Sequence, residues 1–320
     1  MSIKFLFNKD FLNNKWIVIS LILAGWVLAA CAPQSPAQTQ PAAAPAAEDV
    51  RPFVISAIPD QDPEKLNRLY GSIATYLSEK LGVPVEYKPV TDYTASVTAL
   101  KVGDLDMVWF GGLTGVQARL QAPGAQAILQ RDIDAEFHSV FIANVNSGLT
   151  PFEDVSGLAQ LKGRTFTFGS ESSTSGRLMP QYFLKEAGVG LEDFQGEAGF
   201  SGSHDKTIQL VEAGTYQAGV LNEQVWKTRT QNNEVDLTSV IVLWTTPAYY
   251  DYHWVIRGDV AAHYGDDFMP RLKEAFLTLD AGDPQQKEIL DLFGAGKFIE
   301  TQDSNYAKIE EIARELGKIR

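Results

Sequence analysis

The sequence predicts an α/β protein of two lobes that face each other across a cleft. Apolar strand runs alternate with helical stripes, and two turn-rich breaks interrupt the alternation. The chain has 320 residues, enough for two ordinary domains that each bury a core. At 45% hydrophobic and 21% charged residues, its composition is that of a soluble globular protein. Forty acidic against 27 basic residues give a formal charge of −13, which argues against nucleic acid as a partner. Phosphate-backbone contact needs a positive footprint. One cysteine excludes a disulfide framework, and the four histidines stand apart at 138, 204, 253 and 263. No metal site and no cofactor are expected.

Residues 1–30 read as a leader to be removed. Lys4, Lys9 and Lys15 form a basic start, and residues 16–30 are an apolar run too short for an ordinary spanning helix. Leu28-Ala29-Ala30-Cys31 follows, so the only cysteine stands at the cleavage point, which resembles a bacterial lipobox. Cys31 is therefore expected to carry a diacylglyceryl thioether, and a multiply acylated terminus is a stable membrane anchor. After Cys31, residues 32–49 are almost wholly Ala, Pro and Gln, so 31–49 reads as a lipidated, disordered tether. At roughly 3 Å per residue it reaches about 50 Å when extended. The leader holds three Lys and one Asp, so its removal takes the charge from −13 to −15.

Each later element has its own signal. Residues 53–58 form a strand run ended by Pro59. Over 63–81, Leu66, Leu69, Ile73, Tyr76, Leu77 and Leu81 recur at helical spacing, and Gly82 stops the helix. A strand at 85–90, a helix at 94–102 and a strand at 107–110 follow, the last broken by Gly111-Gly112. The alternation continues with a helix from Thr114, strands at 127–130, 140–145 and 165–168, and a helix at 174–187. Helices at 203–213 and 222–231 flank a strand at 218–221, and a strand at 240–244 ends the run. The last quarter is mainly helical, with Tyr306, Ile309, Ala313 and Leu316 on one stripe. Mostly parallel sheets are expected. Breaks at 147–151 and 245–247 give a discontinuous lobe I (50–146 and 248–320) and a continuous lobe II (147–247). Ligand sites in such sheets lie beyond the strand carboxyl ends.

The richest local signal is FGSESSTSGRLM, residues 168–179. A strand ends, a hydroxyl-rich loop follows and a helix starts, which offers N–H groups and hydroxyls to a small oxyanion. One hydroxyl caps a helix, whereas Ser170, Ser172, Ser173, Thr174 and Ser175 exceed that need. No Gly-Lys-Ser/Thr ending makes it a nucleotide loop. In FSGSHD (200–205), adjacent Ser, His and Asp cannot assemble a triad, and no Gly-x-Ser-x-Gly elbow exists. His204 reads either as a loop residue or as a donor to an oxyanion. Tyr93 at a helix start, Glu223 after a strand and Asp251 among aromatics read equally as packing or capping residues.

In order, TDY (91–93), WFGG (109–112), FGSESSTSGRLMP (168–180), FSGSHD (200–205), GVLNEQVW (219–226) and TTPAYYDYHWVIR (245–257) resemble the phosphonate-binding, PhnD-like periplasmic proteins. The likeness extends to their phosphite- and selenate-binding branches. It implies a two-lobed periplasmic-binding-protein fold of the type II kind. It also implies a monomer that performs no chemistry and delivers its ligand to an ABC permease and its ATPase. With the leader and Cys31, the protein is expected to be exported and anchored, facing the periplasm or cell surface. Carried over by position, Ser173, Thr174 and Ser175 hold the oxyanion, while Tyr93 and His204 donate to its other oxygens. Glu223 and Asp251 match carboxylates that meet the ammonium of aminoalkylphosphonates. The family's further pocket tyrosine has no clear counterpart, and Phe137-His138-Ser139 stands as its replacement.

Two carboxylates bear on the ligand. An ionised carboxylate repels a bound dianion unless a proton lies between them. Phosphite and phosphonates keep such a proton near neutrality, by analogy with about 6 for a phosphorylated side chain. Selenate does not. Phosphite or a small phosphonate is therefore the expected ligand, with selenate or phosphate as the alternative. The lack of a nucleophile–base pair disfavours an exported enzyme on this fold. A sensor ectodomain needs a membrane span after residue 31, and the sequence shows none there.

Overall fold

The computed structural model describes residues 51–319; the leader, Cys31 and the tether lie outside the described residues. The first lobe opens with β1 (Phe53–Ala57), α1 (Pro63–Leu81), β2 (Val85–Tyr87), α2 (Tyr93–Val102), β3 (Met107–Phe110), α3 (Gly112–Gln121) and β4 (Gln126–Arg131). A short 3-10 turn, Asp132–Glu136, leads across to β5 (Ser139–Asn144), β6 (Phe166–Phe168), α4 (Met179–Glu186) and β7 (Gly199–Phe200). Next come α5 (His204–Glu212), β8 (Ala218–Asn222), α6 (Glu223–Gln231) and β9 (Val240–Thr245). The chain returns as β10 (His253–Ile256), α7 (Val260–Tyr264), α8 (Phe268–Leu277), α9 (Pro284–Phe293), β11 (Phe298–Glu300) and α10 (Ala307–Glu315).

Local chemistry sets the boundaries. Asp62 accepts from the N–H groups of Glu64 and Lys65 at 3.0 and 3.1 Å, and Pro63 opens α1 where no N–H is needed. Gly82 closes the helix at φ +66°, a conformation that favours glycine. β2 is shorter than expected because Pro89 has no N–H for the ladder; Lys88 N–H makes the last bond, to Ile55 O at 2.9 Å.

Two mixed sheets result, ordered β2-β1-β3-β10-β4-β11 and β7-β6-β8-β5-β9. Both place a strand arriving from the other lobe, β10 or β5, in the same position. Those inserted strands run antiparallel to their neighbours, so the expectation of mostly parallel sheets is corrected. The first lobe boundary is corrected too. β5 pairs with β8 and β9, so the chain crosses at 132–138, and the break at 147–151 is a turn within lobe II. Turn composition marks where a chain bends, whereas ladder partners decide which sheet owns a strand. At the crossings Phe137 and Tyr249 exchange both backbone hydrogen bonds, each 2.9 Å, so the two connections form one short ribbon.

Lobe I is built on aromatic packing: Trp109 lies 5.3 Å from Trp254, which meets Phe276 at 5.6 Å. Truncating such a buried ring to Ala costs about 3–5 kcal/mol. Among the described residues no helix is long and apolar enough to cross a membrane. In the same range no group of three or more ligating side chains is placed to hold a metal.

Candidate functional site

The hydroxyl-rich loop folds as its sequence dictates. Ser173 Oγ accepts from Gly176 N–H at 2.9 Å and caps a single π turn, Thr174–Leu178, that runs into α4. Pro180 explains the wide turn. It has no N–H for the Gly176 carbonyl, which accepts from Gly169 N–H at 2.9 Å instead. Thr174 reaches lobe I, where its Oγ1 accepts from Leu113 N–H at 2.9 Å. The Ser175 carbonyl accepts from Ser139 Oγ at 2.8 Å, while Ser175 Oγ is buried without a partner.

Lobe I supplies the facing groups. Asp92 caps α2 through Ala95 N–H at 2.8 Å, which makes Tyr93 the first inward residue of the helix. Tyr93 is buried and its hydroxyl has no partner. Burial holds this phenol protonated well above its usual range, the Asp60 charge adds to that, and neighbouring Ser173 opposes it. Asp251 Oδ1 accepts from Gly112 N–H at 2.8 Å, and its Oδ2 is buried and unpartnered. Burial lifts the Asp251 carboxyl to about 7 against hydrogen bonds from Gly112 and Thr174. Gly111 lets the two lobes approach here, since a Cβ would stand a tight 3.1 Å from both Asp251 Oδ1 and Thr174 Oγ1 and press them apart.

His204 joins this group through Tyr252. Its Nδ1 accepts from Asn222 N–H at 3.3 Å, so Nε2 carries the proton and faces Tyr252 Oη at 3.3 Å. Burial lowers the ring's pKa to about 4, so His204 is a neutral donor at pH 7. Tyr252 Oη also accepts from Asn222 Nδ2 at 3.0 Å and donates to Asp60 Oδ2 at 2.8 Å. Burial raises Asp60 to about 6, with the Tyr252 hydroxyl pulling the other way. Asp60 O accepts from His204 N–H at 2.9 Å, a further bond between lobes. A groove of about 810 Å³ between α1 and α9 on one side and α5 and α6 on the other leads towards this network. It shares Gln61, Arg131, Gln224 and Phe293 with a narrow pocket lined by Asp60, Asn222 and Tyr252.

Of the residues expected at the site, Tyr93, Ser173, Thr174, Ser175 and Asp251 come together, and His204 adjoins them. Glu223 does not. It is the first residue of α6, half-buried and paired with Lys227 Nζ at 2.9 Å. The inward residue is its neighbour Asn222, because consecutive residues at a helix start face different ways. In 137–139, Ser139 bonds to Tyr249 Oη at 2.6 Å, Phe137 backs Tyr252 at 5.4 Å between ring centres, and His138 turns to Thr246 O. Asp60 stands outside the sequence motifs, while Asn222, Tyr249 and Tyr252 lie inside them without being singled out. Asp60 and Asn222 follow or end strands at their carboxyl ends, a positional signal that points to them.

Two lobes that meet on buried donors at their strand ends have the arrangement of a solute-binding cleft. Residues 55–306 match the model of the ABC transporter phosphonate periplasmic substrate-binding family, and the chain belongs to that family. It is 50% identical over 267 residues to the probable ABC transporter phosphite-binding protein PhnD1 of Prochlorococcus marinus MIT 9301, covering 83% of this chain and 90% of that one. The solved structure of PhnD1 in complex with methylphosphonate superimposes with a TM-score of 0.82 at 49% identity, covering 83% and 98% of the two chains. The phosphonates-binding periplasmic protein of Escherichia coli K12 is 25% identical over 241 residues, 74% of this chain and 68% of its own.

Proposed function

We propose that this protein is the extracytoplasmic receptor of an ABC importer for phosphite or a small phosphonate, anchored by a lipid on Cys31. One observation carries the ligand reading: Tyr93 Oη, Ser175 Oγ and Asp251 Oδ2, from both lobes, are buried polar atoms without a well-formed hydrogen bond, Ser173 lying near the first and Ser175 near the carboxylate. Buried polar groups are almost always satisfied, and those that are not need an explanation. A tetrahedral oxyanion supplies acceptors for the two hydroxyls, while His204 Nε2–H stays on Tyr252 beside them. Asp251, at about 7, shares one proton with it. An anion near its own second pKa brings that proton itself, whereas selenate binds only when Asp251 carries it. With Glu223 on Lys227, an aminoalkyl ammonium loses one of its two expected acids, which favours phosphite or an alkylphosphonate. Closure then signals occupancy to the permease through the higher affinity of the closed form.

Calorimetric titration with phosphite, methylphosphonate, 2-aminoethylphosphonate, phosphate and selenate tests this. Phosphite or methylphosphonate should bind tightest. Tight selenate binding with no response to either of them would sink the reading.

A further inference from the structure

Two residues after Asp251, the ring of His253 is wholly buried. Its Nδ1 lies 3.0 Å from the Asp251 carbonyl oxygen, and a carbonyl only accepts, so Nδ1 carries the proton. Nε2 is then a bare acceptor, buried with no hydrogen-bond partner. Burial lowers the ring's pKa to about 3; the Arg119 charge adds to that and the Asp251 carbonyl opposes, so the ring is neutral at pH 7. Tyr306 stacks on one face, with 3.7 Å between ring centres. The ring's edge abuts Gly115 of α3, where a Cβ would stand 2.3 Å from Nε2.

An apolar side chain of similar size fills such a space without leaving a nitrogen unpaired, so packing alone does not account for an imidazole here. The bonds around Asp251 supply a reason. Its backbone N–H donates to Asp134 O at 3.1 Å, and its Oδ1 accepts from Gly112 N–H at 2.8 Å. The His253 bond to its carbonyl is the third anchor. Gly112 and Gly115 are three apart and lie on one face of α3, so carboxylate and imidazole rest against the same helix. What remains of Asp251 is Oδ2, with the Thr174 and Ser175 hydroxyls beside the carboxylate. Without the third anchor the peptide after Asp251 can turn, and the direction of Oδ2 turns with it.

Resting on the ligand reading above, we propose that His253 is a positioning residue: its Nδ1–H fixes the Asp251 main chain and so aims Oδ2 at the bound oxyanion. His253 acts through Asp251 and makes no contact with the ligand itself. Loss of one such hydrogen bond changes affinity about three- to tenfold.

The experiment is titration of phosphite and methylphosphonate into the wild type and into His253→Leu, His253→Met and His253→Asn, with melting of the ligand-free proteins in parallel. Leu fills the space without a donor, and Met serves in its place if Leu does not fold. Asn keeps an amide N–H near the position of Nδ1 but leaves a void against Tyr306. The Leu variant should bind about three- to tenfold more weakly than wild type. The Asn variant should bind within about twofold of wild type although it melts below the Leu variant. Affinity and stability then rank the two variants in opposite order, which a purely structural role does not produce. A Leu variant within twofold of wild type overturns the proposal. So does an Asn variant that binds no better than Leu. A wild type that binds neither probe refutes the ligand reading itself, whereas a binding wild type with indifferent variants refutes only this inference.

Discussion

Thr174 Oγ1 accepts a hydrogen bond from Leu113 N–H at 2.9 Å, so a hydroxyl of the oxyanion segment in lobe II is also a bond to lobe I. Accepting there leaves the Thr174 proton to be donated to Asp251 or to the anion. Thr174→Val removes both functions and leaves a buried N–H unpaired in the closed form, at a cost of about 1–3 kcal/mol. Phosphite affinity should therefore fall about tenfold to a hundredfold, mainly through faster dissociation, whereas Thr174→Ser keeps most of it. Stopped-flow dissociation rates decide the matter, and a Val variant within twofold of wild type contradicts this role.

A second contact between the lobes lies at the mouth of the groove. Asp205 Oδ2 accepts from Asp62 N–H at 2.8 Å, while Arg229 grips the carboxylate through Nε and Nη2 at 2.7 and 2.8 Å. The carboxylate sits at the N-termini of both α5 and α1, where negative charge is favoured. Lys185 and Glu315 also join the lobes, at 2.7 Å, but their side chains are 58% and 43% exposed against 12% for Asp205. Exposed pairs contribute about 0–1 kcal/mol. Asp205→Asn should speed phosphite release about five- to tenfold with little change in association. Glu315→Gln should leave both rates within twofold, and the reverse ranking would show that the exposed pair holds the lobes together.

Glu223→Gln should change phosphite affinity by less than twofold, because the carboxylate is spent on Lys227 at the surface and not on the buried cluster. Asn222→Ala should weaken binding about tenfold, since it removes one donor to Tyr252 Oη and the Val225 N–H cap. The same titration checks both, and a large loss for Gln at 223 would return that acid to the site.

What could be read in the sequence follows from the range of the forces. Tyr93 is legible only through the matched TDY segment, because a tyrosine at a helix start reads equally as a packing residue. The π turn's hydroxyls were legible because they exceed what a cap needs. Asp60, His204, Asn222 and Tyr252 meet only through tertiary closure, from four separate segments, and no spacing rule connects them. β5 was recognised as a strand by its apolar run, but its sheet depends on partners some 80 and 100 residues further along the chain. Glu223 was misplaced by one residue of helix phase, which a motif match does not resolve.

The pH response of stability follows from four buried groups. Asp60 and Asp251 sit at about 6 and 7, raised from 3.8, so the folded protein holds protons there that the unfolded chain has lost. His204 and His253 sit at about 4 and 3, lowered from 6.5, so the unfolded chain binds protons there that the folded protein refuses. The raised acids contribute stability that falls as pH rises from about 4 and is gone above 6 and 7. The depressed histidines work in the opposite sense, so their contribution grows as pH rises from 4 towards 6.5. Between pH 5 and 6 the two effects nearly cancel, and the ligand-free wild type should show almost flat stability. Asp251→Asn removes one raised acid and leaves both histidines, so the unfolded chain then binds about one proton more than the folded one. Stability of that variant should rise by about 1.4 kcal/mol per pH unit over the same window. Urea unfolding at pH 5.0, 5.5 and 6.0 measures the slope. A variant as flat as the wild type would mean that the Asp251 carboxyl is already ionised in the closed protein and holds no proton to share with an anion.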